Sequence, residues 1–549
     1  MKKLLLMFVT GVMASVAVGA QAEPFKAVLT QAGELSAVLG NQVNVIDAVE
    51  VEGPMNEADF HTLCLAGYCG NLRSVDLSGA QPEGNVIPAQ AFWIDLKSTP
   101  VEGARQRSLI STVILPEQVT EIGILAFNDL QLKNLQWPTS LKTIGKAAFA
   151  NSIDAEIEVL ALPAEVETIG EDAFTYSNAK RVVLPESIKH IGGQAFSSSK
   201  VEEINLPEGL ETIGEHAFFW TNLKSVSIPA SVTSLGSGAF SWCQELKEAV
   251  LPEGMTSVPA ELFSGCENLV SVNMPSTVVS IGESAFSACP AIESMTLPEG
   301  LASIGRNAFF RCNFKTLDIH CADDVVKPQM FAGMDRLESV TIPDSWERLR
   351  EGLFMNCGLS EVTLPAQLKT IDKEAFMGCV NLTSVTLPEG LESVGESAFS
   401  YCRLQKLELP ASVTGLAAGS FALGVWGDVY SLNPAPPVCD DQNMLMGAYG
   451  NTLYVPVGSK EAYAQAYGWE LFNNIAEYDP SAIGDIAADG DAAVKVIGGA
   501  IVVSGGAFEV YTADGRLVAS GMADGETQVA ATPGIYVVRV GDTTAKVAL

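Results

Sequence analysis

Basic residues are scarce: 32 Lys and Arg stand against 65 Asp and Glu among 549 residues, a formal net charge of −33. A chain this acidic repels phosphate backbones and anionic headgroups, which argues against nucleic acid and peripheral membrane binding. Beyond the first 22 residues no stretch reaches the roughly 18 apolar residues that a membrane span needs. Histidine is limited to His61, His190, His216 and His320, scattered along the chain. No H-E-x-x-H, no G-x-S-x-G and no glycine-rich phosphate loop occurs, so the common motifs of zinc, serine-nucleophile and nucleotide chemistry are missing. Collagen-like and low-complexity patterns are absent too. With 48% hydrophobic and 18% charged residues, wholesale disorder is excluded.

What is present begins with a leader. Residues 1–22 open on Met1-Lys2-Lys3, run through an apolar stretch from Leu4 to about Gly19 and finish Ala20-Gln21-Ala22. This order is that of a secretory signal cleaved after Ala22. No cysteine follows the apolar run, so a lipidated N-terminus is not indicated. Loss of Lys2 and Lys3 leaves 30 basic against 65 acidic residues, a net −35. The expectation is an exported, soluble chain, extracellular or at the cell surface, with the periplasm as the other compartment. Eleven cysteines in such a chain invite disulfides, but an odd count leaves at least one without an internal partner.

The strongest signal is internal repetition. Prolines after an apolar residue recur from Pro116 to Pro410 in steps of 22 or 23, apart from one of 25 (Pro138 to Pro163) and one double step of 45 (Pro298 to Pro343). Eleven residues after each stands a phenylalanine, from Phe127 to Phe421. The double step hides a degenerate unit with His320 in the proline slot and Phe331 in place, which makes fourteen consecutive units. An atypical unit around Phe92 and an insertion through about Ser108 precede them.

The unit Leu223 to Cys243 shows the physics. Leu223, Val226 and Ile228 alternate on a short strand, and Val232, Leu235, Ala239, Phe240 and Cys243 complete the expected interior. Proline ends the strand. The glycine seven residues later (Gly123, Gly145, Gly170, Gly192, Gly214, Gly236, Gly282, Gly305, Gly395) suits a turn with positive φ. The following Glu-x-Ala-Phe segment reads as a short 3₁₀ or single-turn helix. A unit this short cannot bury enough to fold alone, so stability is collective and the ends need caps. The fold class is a mostly β, α/β-type leucine-rich-repeat solenoid. Another kind of parallel β-helix is the alternative, and a propeller needs longer units.

The pattern L-P-E-G-L-x-x-I-G-x-x-A-F-x-x-C, at Leu297 to Cys312 and again from Leu387, resembles the BspA-like leucine-rich repeats of bacterial surface proteins. Val51 to Asp59, leading to Val75-Asp76-Leu77, resembles the N-terminal cap of those proteins, and Tyr454-Val-Pro456 to Ile475 their closing unit. The resemblance implies adhesion to extracellular matrix or to other bacteria. Residues 481–549 lack the repeat and show short β runs, with Asp514-Gly515, Asp524-Gly525 and Pro533-Gly534 as turns. A small antiparallel β-sandwich is expected there. It resembles the C-terminal sorting domains of type IX secretion cargo, but ends Lys546-Val-Ala-Leu549 without a basic terminus. The domain plan is thus signal 1–22, cap and atypical repeat 23–109, repeats 110–424, closing cap 425–480 and tail 481–549.

Seven of the eleven cysteines, Cys243, Cys266, Cys289, Cys312, Cys357, Cys379 and Cys402, fall fourteen residues after the proline or its stand-in in their units. Collinear thiols one strand apart do not converge as tetrahedral zinc requires, so they read as reduced packing residues. Cys64 and Cys69, in the expected cap, are a candidate disulfide; Cys321 and Cys439 are unassigned. Asp485, Asp489 and Gly490 match part of a calcium loop, but Ala487 and Val496 stand where oxygen ligands belong. Glu117, Glu186, Glu208, Glu253, Glu299 and Glu389 share one post-proline turn, an arrangement for solvation rather than for an acid/base pair. No catalytic residue, metal ligand or cofactor site is expected, and no enzyme.

Outward strand positions lie two residues before each proline slot. In the second half they form a polar stripe, Thr296, Asp318, Thr341, Thr363, Thr386 and Glu408, the candidate interaction surface. Aromatic residues suited to stacking on sugars are missing from it. The function expected is a secreted or cell-surface, adhesin-like scaffold binding host or bacterial macromolecules; the alternative is glycan capture in a surface polysaccharide system.

Overall fold

The computed structural model describes residues 23–98, 100–154, 157–478, 493–497, 500–512, 516–529, 535–540 and 543–548. The leader with its cleavage site at Ala22, the loop of Asp485, Asp489 and Gly490, and the turns at Asp514-Gly515 and Pro533-Gly534 lie outside the described residues. The chain divides into two compact units, Met1–Phe314 and Lys315–Leu549.

The first unit opens with β1 (Phe25–Val28), α1 (Leu35–Leu39), β2 (Ala48–Met55), α2 (Glu57–Cys69) and β3 (Ser74–Pro82). The three strands pair in parallel and the ladder continues into Thr112–Ile114 and Asn134–Gln136. α2 begins at a capping box: the Asn56 side chain accepts from the Ala58 N–H at 3.0 Å, and Asp59 accepts from the Asn56 N–H at 3.0 Å. Buried Asp59 also accepts from the N–H groups of Gly33 and Leu35, at 2.7 and 2.9 Å. These bonds fix the entry of the solenoid. A helix turns residues five apart away from each other, and Cys64 and Cys69, both on α2, are free thiols.

Each later turn supplies two short strands. The second ladder runs in parallel from Val86–Ile87 through Glu121–Ile122, Thr143–Ile144, Thr168–Ile169, His190–Ile191 and Thr212–Ile213 to Ser234–Leu235. Phenylalanine fills the interior. From Phe92 to Phe309 ten rings stack 4.9 to 6.0 Å apart, within 26° of parallel.

Two expectations about the turn need correction. The glycines at 123, 145, 170, 192, 214 and 236 do not have positive φ. They are required by close approach: a Cβ at Gly214 would lie 2.3 Å from the backbone nitrogen of Gly193, and one at Gly145 2.7 Å from the carbonyl oxygen of Ile122. Nor does the Ala-Phe segment form a helix. From Phe127 onward left-handed residues flank it two positions before and two after each phenylalanine, as with His216 (φ 54°) and Trp220 (φ 54°) around Phe218. This unwinding turns the Phe N–H outward along the stack, where Phe218 donates to the Ala239 carbonyl at 2.8 Å. A helix would have kept those N–H groups within its own turn.

The second ladder of this unit is interrupted after Ser234–Leu235 and resumes at Ser257–Val258. Pro259 occupies the slot in which Gly236 and Gly282 donate to the preceding turn at 2.8 Å, and proline has no N–H to give. Val232 and Leu235, expected inside, are consequently only half-buried and border a groove of about 630 Å³.

In the second unit Thr316–Ile319 pairs with Ser339–Thr341, and Glu361–Thr363 with Ser384–Thr386. Leu407–Leu409, Val429–Ser431, Thr452–Pro456 and Asn474–Tyr478 form a four-stranded parallel sheet. The phenylalanine column recurs from Phe331 to Phe421 at 5.1 to 6.0 Å. In the irregular turn, buried Trp346 donates its indole N–H to the Cys321 carbonyl at 2.8 Å. α3 (Lys460–Gln465) closes the repeats, its buried Tyr463 bonded to Ser431 Oγ and to the Asn433 carbonyl, both at 2.7 Å.

The strands Ala493–Ile497, Ala500–Thr512, Leu517–Val529, Ile535–Val540 and Thr543–Ala548 form one antiparallel sheet over a core that includes Ile501, Val503, Phe508, Val510 and Val538. The strand Ala500–Thr512 pairs along one edge with Ala493–Ile497 and then with Ile535–Val540. Asp524-Gly525 is not a turn. It lies inside the strand Leu517–Val529, where Ser504 pairs with Glu526 and Gly506 with Ala523, so that two residues oppose one in a bulge.

Candidate interaction surface

Parallel pairing in the second unit brings the stripe together in groups. Asp318 stands opposite Thr341, Thr363 opposite Thr386, and Glu408 opposite Tyr430. The three threonines and Glu408 are exposed and Asp318 is half-buried. Thr296 is also exposed, on the strand Ser294–Leu297 of the first unit. Asp318 is held by His320 Nε2 at 2.8 Å and Glu408 by Lys406 Nζ at 2.6 Å. The threonine hydroxyls therefore make the uncharged middle of this row. The stripe is two residues wide, because strand alternation also turns Thr316, Ser339, Glu361 and Ser384 outward. A shallow depression of about 380 Å³ lies over Ser339, Glu361, Thr363, Ser384 and Thr386.

The absence of aromatic residues holds only up to Glu408. In the next two strands Tyr430 and Tyr454 pair in register and stack at 4.5 Å, with Lys406 Nζ 4.3 Å from the Tyr430 ring centre and Tyr478 edge-on to both. Tyr454 lies two residues before Pro456, the same offset that marks the rest of the stripe. The repeat frame ended at Phe421 and so missed it. Burial and the neighbouring Tyr454 raise the pKa of Tyr430.

The six post-proline glutamates are exposed, and the Glu117 carboxylate accepts from the Thr139 hydroxyl at 2.6 Å and from the Thr139 N–H at 2.9 Å, which hold its pKa low. The cysteine column is buried in both units. Each thiol donates to the phenylalanine carbonyl of the turn before it, as from Cys289 to Phe263 at 3.0 Å and from Cys379 to Phe354 at 3.1 Å. Ser152 makes the same bond to Phe127, whereas Thr221 donates to the Phe218 carbonyl of its own turn at 3.1 Å. Burial pushes Cys312 and Cys379 up to about 12. In native protein an aromatic disulfide reagent is accordingly expected to titrate the half-buried Cys69 readily, and Cys439 only slowly, since burial pushes that thiol too up to about 12. Stoichiometric reaction of the column without denaturant would contradict this packing.

Among the described residues no cluster of histidine, cysteine and carboxylates could hold a metal ion, and no helix is long and apolar enough to cross a membrane. Parallel ladders around a phenylalanine column, with a consensus leucine strand in each turn, define a leucine-rich-repeat solenoid. The chain belongs to the family described as BspA type leucine rich repeat region, which it matches over residues 104–224, 211–333 and 323–423. No curated protein matches it. Among solved structures it is similar to a leucine-rich repeat protein of Bacteroides ovatus, at 23% identity over 68% of this chain and 84% of that one, with a TM-score of 0.41. The pneumococcal vaccine antigen PcpA matches at 18% identity over 59% and 89%, TM-score 0.31. A leucine-rich cell surface protein of Faecalibacterium prausnitzii matches at 18% over 70% and 86%, TM-score 0.25. Likenesses at this level carry no functional information.

Proposed function

We propose that the chain is exported and works outside the cell or at its surface as an adhesin-like scaffold, binding a host or bacterial macromolecule through the strand face of the second unit. The observation that carries this reading is the two-row exposed face from Asp318 to Thr386, ending in the Tyr430–Tyr454 cluster. Hydroxyls on a rigid ladder cost little to order, and amphipathic aromatics at one end supply the anchor that an interface needs. The faces of Tyr430 are covered by Tyr454 and Lys406, so the cluster offers edges and hydroxyls, which suits protein contact better than sugar stacking. Export rests on the leader ending at Ala22. The tail serves in this reading as a sorting or anchoring domain, with 23–109 and 425–480 as caps of the repeat array.

The test is binding of purified protein to intact cells and to immobilised matrix proteins, against an unrelated acidic protein. Thr363→Arg combined with Thr386→Arg is expected to weaken binding at least tenfold, with an unchanged melting temperature. Wild-type binding no better than the control, or a double variant that binds as wild type, would remove the strand face from consideration. Protease shaving of intact cells is expected to release repeat fragments.

A further inference from the structure

From Phe127 onward the residue two positions after each column phenylalanine of the first unit is left-handed. Gly265 fills that slot at φ 76°, and Asp129 and Asn151 at 58° and 53°, the residue types that tolerate it. Ser198, Ala288 and Arg311 also occupy it, at 55°, 56° and 60°, so the repeat imposes this backbone whatever the residue; Tyr176, Trp220 and Trp242 are the large aromatic residues placed there. They adopt φ of 61°, 54° and 60°, where a bulky side chain is an outlier, and they remain 58%, 60% and 46% exposed. Folding does not account for large aromatic rings held in strained backbone at the surface, and such a conflict points to binding.

The three lie on one ridge. Successive turns advance by 5.2 to 5.4 Å at the phenylalanine rings from 174 to 240, so Trp220 and Trp242 are one turn apart and Tyr176 is two turns before Trp220. The Trp242 indole lies over the next turn, where a Cβ on Gly265 would meet it at 2.8 Å; the glycine lets the ring lie flat. At the other end Tyr176 borders a cavity of about 500 Å³ that Trp93, Asp95, Asp129, Asn151 and Asp172 also line. Its outer wall comes from the insertion after Phe92, and in repeat arrays insertions often mark the binding side. Asn151 Nδ2 donates to Asp129 Oδ1 at 2.6 Å and Arg107 reaches the same oxygen at 2.8 Å, which orients the carboxylate. Partial burial beside Glu171 raises the pKa of Asp172.

We propose that this cavity and ridge form a binding site for an extended, uncharged polysaccharide. Aromatic rings offer flat apolar faces to the C–H face of a pyranose, while the carboxylates and amide of the cavity accept and donate to its hydroxyl rim. One turn of the solenoid advances by about the length of one sugar in an extended chain, so the ridge continues the register that the cavity sets. Asp95, Asp129 and Asp172 outnumber Lys97 and Arg107 around the cavity, and with the chain's net charge of −33 this disfavours an anionic glycan. Ser198 in the intervening turn separates Tyr176 from the Trp220–Trp242 pair, so the three rings make no continuous apolar patch, which favours a sugar chain over a protein partner. The site is distinct from the strand face of the second unit and goes beyond the adhesin reading.

The test is native affinity electrophoresis of the whole protein in gels containing hydroxyethylcellulose, mixed-linkage β-glucan, arabinoxylan or mannan, with polygalacturonate as the anionic control. Retardation by at least one uncharged polymer and none by polygalacturonate is expected. Trp220→Gly with Trp242→Gly should weaken retention at least tenfold, without lowering the melting temperature, since glycine suits both backbone positions. Tyr176→Ala should weaken it separately. No retardation by any uncharged polymer, or equal retention of the double glycine variant, overturns the proposal. So does loss of matrix-protein binding in that variant without any polysaccharide binding by the wild type, which would make the ridge a protein contact. Thr363→Arg with Thr386→Arg should leave polysaccharide retention unchanged, so that failure of one reading is distinguishable from failure of the other.

Discussion

Gly214→Ala is expected to destabilise the first unit by more than about 4 kcal/mol, beyond what most single substitutions cost. The added methyl would stand 2.3 Å from the nitrogen and 2.7 Å from the Cα of Gly193, and 2.6 Å from the carbonyl carbon of Gly192. Those atoms are backbone and cannot swing away. Relief requires the two turns to separate, which breaks the bond from the Gly214 N–H to the Ile191 carbonyl, now 2.8 Å, and loosens the Phe196–Phe218 contact at 5.4 Å. Because each turn is stabilised by its neighbours, the damage uncouples the turns on either side. Gly300→Ala is the control, since a Cβ there meets nothing within 4 Å, and a change within about 0.5 kcal/mol is expected. Urea unfolding with hydrogen exchange at turns 190–240 measures both. Equal stability of the two variants would mean that the glycine column is not a contact column.

The same column shows why part of the turn was illegible in the sequence. A glycine recurring at one offset signals either a left-handed backbone or a close approach, and period alone does not separate them. The slots flanking phenylalanine carry the distinction. Asp129, Asn151, Asn307, Asn356, Gly265 and Gly378 there are residue types that accept positive φ, alongside others such as Leu125, Gln194 and Arg311, whereas the close-approach slot holds glycine in eight of the nine turns from Gly123 to Gly305, Pro259 excepted. The repeat itself was legible in full, because burying one face of every turn imposes a strict frame on proline and phenylalanine. The tail was legible only as antiparallel strands. Asp524-Gly525 carries hairpin chemistry but serves a bulge, a choice made by pairing across the sheet. Of the candidate surface, the threonines from Thr341 to Thr386 followed from alternation, while Tyr430 came from a strand outside the frame. The cavity beside Tyr176 depends on how an insertion folds back, and spacing says nothing about that.

Phe218→Ala is expected to cost about 3–5 kcal/mol, the range for removing a large aromatic side chain from a core. Phe218 is fully buried, with Phe196 at 5.4 Å and 1° on one side and Phe240 at 5.2 Å and 3° on the other. Truncation opens a cavity between turns whose backbones are fixed by the bond from the Phe218 N–H to the Ala239 carbonyl at 2.8 Å, so the site cannot collapse. Phe421, at the end of the column in the second unit, stacks on Phe399 at 5.1 Å and has no ring beyond it in the column. Phe421→Ala should therefore cost less by about one aromatic pair, 0.5–1.5 kcal/mol. Phe218→Leu, which keeps most of the volume, should recover more than half of the loss, a partial recovery expected of a packed column and not of a hydrogen-bonded one. If the leucine and alanine variants melted together, the energy would lie in the ring stacking alone. If both melted with the wild type, the backbone ladders would hold the turns without the column, and the strict recurrence of phenylalanine would need a cause other than stability.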